Sequence, residues 1–137
     1  MATRDPAHWL FRLTATEWLA AAEAELQHAE AALNRRAARP GVTHARRAAG
    51  MAWNAVLVNA PEDPESARYG RSYMEHVVAL AADEGLPAEV RAAAQLLKDA
   101  PPRPPELVNI GKPDLTPLEA ARTLVAHAKA RSARTDS

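Results

Sequence analysis

Apolar residues recur at helical spacing through five stretches of the chain, and no stretch alternates apolar and polar positions as a half-buried strand would. The pattern predicts an all-α protein. The first long helix is marked by Thr14 with Glu17 three residues on, a capping-box signature, and by Leu13, which can staple onto Trp18. Its apolar stripe is Trp18, Ala22, Leu26, Ala29 and Leu33, with Glu23, Gln27, Glu30 and Asn34 on the opposite face. Pro40-Gly41 places its end near Arg36. A second helix is predicted over 43–58, with Ala45, Ala48, Ala49, Ala52, Ala55 and Val56 along one face and Met51, Trp53, Leu57 and Val58 supplying bulk. Two prolines make 59–66 a loop.

The third helix, over 70–84, turns Tyr73, Val77, Leu80 and Ala81 inward and ends at Gly85. The fourth carries Pro87 in its first turn and Val90, Ala94 and Leu97 inward. Residues 100–115 contain five prolines and read as an extended strap across the bundle, anchored by Leu107, Val108 and Ile110. The fifth helix opens on Thr116-Pro117-x-Glu119, a second capping box, and buries Leu118, Ala121, Leu124, Val125 and Ala128. The whole chain, 1–137, reads as one helical-bundle domain, with 1–13 an N-terminal extension and 131–137 a frayed tail.

A chain of 137 residues is one domain's worth, enough to bury roughly two thirds of its unfolded surface. Seventeen basic and seventeen acidic side chains cancel, so any polyanion binding has to come from a local patch. The absence of cysteine removes disulfides, thiolate metal sites and a cysteine nucleophile. The amino terminus, with Asp5 and Pro6 before a short apolar run, resembles neither a signal peptide nor a membrane span. The expectation is a soluble, cytoplasmic protein without membrane contact.

Two stretches bear on chemistry. In RYGRSYMEH, 68–76, Arg71 and His76 are five residues apart, and on one regular α-helix they would point roughly 140° apart. They can converge only if Arg71 precedes the first regular turn, a deviation that Gly70 makes inexpensive. Such a pair could stabilise charge on a phosphate while the imidazole handles a proton. The other reading of the same residues is a half-buried flank histidine and a solvated first-turn arginine. In NRRAARPGVTHARR, Arg35, Arg36, Arg39, Arg46 and Arg47 accompany His44, with no acid between Glu30 and Glu62. That cluster reads as a nucleotide- or phosphate-binding corner, or as a solvated turn whose arginines oppose the helix dipole. Bundle topology separates it from Arg71, since successive turns of an up-and-down bundle lie at opposite ends. Glu25-x-x-His28 has the spacing of a di-iron bundle ligand pair, but the second copy is missing and His28 points away from the Trp18/Leu26 stripe, so neither a metal nor another cofactor is expected. His127 reads as structural, Trp53 as core, and Asn54 as an exposed or capping amide.

The succession of HARRAAGMAWNAVL, a loop and YGRSYMEHVVALA resembles the HEPN domain family (higher eukaryotes and prokaryotes nucleotide-binding domain) over about residues 14–130. The resemblance implies a four- to five-helix up-and-down bundle, all-α, acting as a homodimer. In many members an R-x4-6-H motif in a cleft across the dimer makes a metal-independent endoribonuclease. Carried over, that motif is Arg71 and His76, with Ser72 where such members often have Asn, Asp or His. Other members bind nucleotides or RNA without cutting them, or pair with a nucleotidyltransferase in toxin–antitoxin and defence systems. Three functions follow as expectations: a nucleotide- or RNA-binding module, an endoribonuclease using Arg71 and His76, and a structural adaptor using neither.

Overall fold

The computed structural model describes residues 12–59, 69–100 and 113–136, the last three as backbone only. Five helices form the bundle: α1 (Ala15–Asn34), α2 (Ala38–Asn59), α3 (Tyr73–Ala82), α4 (Ala88–Asp99) and α5 (Thr116–Asp136). No strand occurs among the described residues. The strap residues Leu107, Val108 and Ile110 and most of the 59–66 loop lie outside them.

The capping box forms at the start of α1, where Glu17 N donates to Thr14 Oγ1 at 3.1 Å and Thr14 N to Glu17 Oε1 at 2.9 Å. All five residues of the predicted stripe are buried. The helix ends in a Schellman turn: Ala37 N donates to Ala32 O at 2.8 Å and Arg36 N to Leu33 O at 3.0 Å. Arg36 occupies the left-handed position there, at φ 63°.

The second helix starts earlier than the sequence pattern predicts. Its first intrahelical bond runs from Gly41 N to Ala37 O, 3.0 Å, so Pro40 falls in the first turn. There a backbone N–H has no helical partner and its absence is harmless. Gly41 lies so close to Leu33 that a Cβ would approach the Leu33 side chain to 2.4 Å, bringing α1 and α2 together directly after the turn.

This second helix touches all four others. Every residue from Ala48 to Val58 is buried, so it is a core helix and not the one-faced helix expected from its alanines. At its middle α3 crosses it, and a Cβ on Gly50 would come within 2.4 Å of Tyr73 Cβ and 2.6 Å of Tyr73 Cα. Fully buried Trp53 stacks on His127 of α5, with ring centroids 6.1 Å apart, and lies under the Arg131 guanidinium at 5.4 Å.

Three further boundaries differ from expectation. Asp83, with extended backbone, ends α3 ahead of Gly85, whose N–H it accepts at 2.9 Å. Asp114, and not Thr116, takes the exposed donors at the start of α5, accepting from Thr116 N at 3.0 Å and Thr116 Oγ1 at 2.6 Å. And α5 continues past Lys129 because buried Ser132 docks on the end of α2, its Oγ accepting from Asn59 Nδ2 at 2.8 Å.

Candidate functional site

Ser72 caps α3, accepting from Glu75 N at 3.1 Å, and Gly70 turns the chain into it at φ 74°. Arg71 therefore precedes the first turn, as convergence with His76 would need. The two side chains nevertheless part. The arginine is exposed, and its backbone N–H donates to Glu75 Oε2 at 2.7 Å. His76 has 0 % exposure, with Nδ1 2.5 Å from Tyr69 O and Nε2 2.7 Å from Asn54 Oδ1. Burial pushes its pKa below the ordinary value, against the opposing pull of the Tyr69 carbonyl and Glu75. A neutral ring has one N–H, and Asn54 Nδ2 is otherwise buried without a partner. Turning the amide over removes the acceptor–acceptor clash at the ring: Nδ1–H donates to Tyr69 O, and Asn54 Nδ2 donates to Nε2. Asn54 is thus neither exposed nor a cap but a buried partner of His76.

The five arginines of the basic stretch divide among three destinations. Arg35, Arg36 and Arg39 are exposed at the α1–α2 corner. Arg46 reaches across the bundle to the end of α4, Nε donating to Leu97 O at 2.8 Å and Nη2 to Lys98 O and Ala100 O at 3.3 Å each. It satisfies helix-terminal carbonyls there. Arg47 is half exposed, with Nη2 3.6 Å from Glu25 Oε1.

A grouping that the sequence pattern did not expose surrounds Glu25. Its nearly buried carboxylate lies 2.6 Å from His44 Nδ1, and the His44 ring stands 5.3 Å, centroid to centroid, from that of exposed His28. Tyr73, crossing α2 over Gly50, belongs to the same electrostatic neighbourhood. Burial raises its pKa, Arg47 and Arg12 draw it down, and Glu25 adds to the rise. Arg47, at the end of the basic stretch, thus lies near Tyr73 at the start of α3. The reason is that α2 is twice as long as α3, and α3 crosses it at mid-length beside Arg47. The signal for Glu25–His44 was register: in an antiparallel helical pair, residues roughly equidistant from the turn face each other.

Among the described residues no group of three or more His, Asp or Glu is placed to hold a metal ion, and no helix is long and apolar enough to cross a membrane. Comparison with protein-family models, curated proteins and solved structures finds no match to the chain.

Proposed function

We propose that the chain is a HEPN-like nucleotide- or RNA-binding module that holds phosphates at the α1–α2 corner. The observation supporting this reading is charge placement: in a chain of zero net charge, Arg35, Arg36 and Arg39 stand exposed together in a segment free of acidic residues. Phosphate contacts of this kind give affinity that falls with salt and carries little sequence preference. Binding is favoured over cutting because His76 would have to leave its buried bonds to Asn54 and Tyr69 before it could meet an RNA strand beside Arg71. The homodimer and nucleotidyltransferase partner implied by the family resemblance belong to the same proposal, and light scattering of the purified chain tests the dimer.

The decisive experiment is fluorescence anisotropy with a labelled single-stranded oligoribonucleotide over a salt series. Replacing Arg35 and Arg39 together by Ala should make the log–log salt slope shallower by about 1.4, at roughly 0.7 per lost contact on a single strand. An RNA affinity that is absent at low salt, or a slope that the double substitution leaves unchanged, would falsify the proposal. The adaptor reading would then take its place, with Met74 and Val78, one turn apart and exposed on α3, as the surface to probe.

A further inference from the structure

Above the corner, the Glu25 grouping has a feature that an ordinary helix-to-helix salt bridge leaves unexplained. A carboxylate accepts and does not donate, so Nδ1 of His44 carries the proton that faces Glu25. The neutral ring then presents the Nε2 lone pair on its other side, where it has no partner among the described residues and is not buried. His28 stands beside it on the exposed face of α1, its ring nitrogens also without partners among the described residues. Half-exposed Arg47 completes a row of three nitrogen-bearing side chains with Glu25 behind them.

For the bundle alone this is a poor arrangement. Two imidazoles whose ring centroids are 5.3 Å apart, next to a guanidinium, repel one another as soon as they charge, and one carboxylate cannot neutralise all three. A dianion bound across the row removes that repulsion and accepts from Arg47 and from each ring N–H that protonation on binding turns outward. A phosphomonoester matches both the charge and the acceptor count.

We infer that His28, His44 and Arg47, oriented by Glu25, form a binding site for a phosphomonoester group, distinct from the corner arginines. The inference shares with the proposed function only the class of ligand. The site draws Glu25 and His28 from α1 and His44 and Arg47 from α2, with Tyr73 of α3 near Arg47 and Glu25.

The test follows the histidine ring protons by NMR while inorganic phosphate is added to the whole chain at a constant pH of about 7, with chloride holding the ionic strength constant. Saturable shifts of His28 and His44, with His8, His76 and His127 unmoved, are expected. Arg47→Ala should abolish them, and so should His28→Ala, a change at an exposed position that leaves the fold intact. Equal movement of all five histidines, no movement, or unchanged affinity in His28→Ala would overturn the inference. Adenosine monophosphate and oligoribonucleotides with and without a 5′-phosphate identify the source: preference for the 5′-phosphorylated strand assigns the site to RNA ends, and equal response to phosphate and nucleotide assigns it to small molecules. Replacing Arg35 and Arg39 leaves these shifts in place, so the corner and this site fail or stand separately.

Discussion

His76 and Asn54 are polar residues with no exposed surface, and their surroundings set the protonation state of the pair. Because folding lowers the His76 pKa, the unfolded chain binds the proton more readily. The stabilisation is therefore complete above the unfolded value of about 6.5 and is lost as pH falls through the folded value. Urea midpoints should decline from neutral toward mildly acidic pH, and His76→Leu should flatten that decline. His76→Ala, which leaves a cavity and strands Asn54 and the Tyr69 carbonyl, should lower stability by about 3 kcal/mol in chemical denaturation. Arg36 gives the opposite sign. At φ 63° a non-glycine residue is strained, and Arg36→Gly should raise stability by roughly 1 kcal/mol, read as a higher melting temperature, while removing one candidate phosphate contact. Neither site is marked in the sequence. A histidine beside an apolar stripe reads as half-buried until the helix across from it supplies an amide, and an arginine at a Schellman position looks like any last-turn cation.

Among the elements, the crossing of α2 and α3 is the most constrained. Alanine would favour α2 by about 1 kcal/mol over glycine in isolation. At Gly50, however, the added methyl meets Tyr73 backbone and Cβ, atoms that move only if α3 moves. Gly50→Ala should therefore destabilise by about 2 kcal/mol in a thermal melt. A melting temperature at or above wild type would mean that α3 is not held at this crossing. Arg46→Ala should cost about 2 kcal/mol by releasing the carbonyls at the end of α4, and Lys should not rescue it, since one ammonium cannot replace the Nε and Nη2 bonds to three acceptors. The periodicity made α1 legible to its cap and α4 to its inward residues, because those features are local. It left the start of α2 five residues late, since Pro40-Gly41 signals a break in a linear reading and a first turn in three dimensions.

For the whole molecule, a net charge of zero conceals the asymmetry that both functional proposals depend on. Charges far apart in the chain are sorted by packing: Arg46 goes to a helix end, Arg47 and His44 to Glu25, and Arg35, Arg36 and Arg39 to the surface. The sequence by itself determined that the chain is all-helical, where α1 is capped and which face it buries, and that the residues from Arg35 to Arg47 are locally basic. Periodicity, capping and charge are properties of neighbours along the chain. Only the tertiary structure decided that α2 is buried all round from Ala48 to Val58, that His76 faces Asn54, and that Glu25 holds His44. Each of those depends on the register and crossing point of helices brought together from distant segments, and a side chain's burial, partner and protonation are settled by what packs against it.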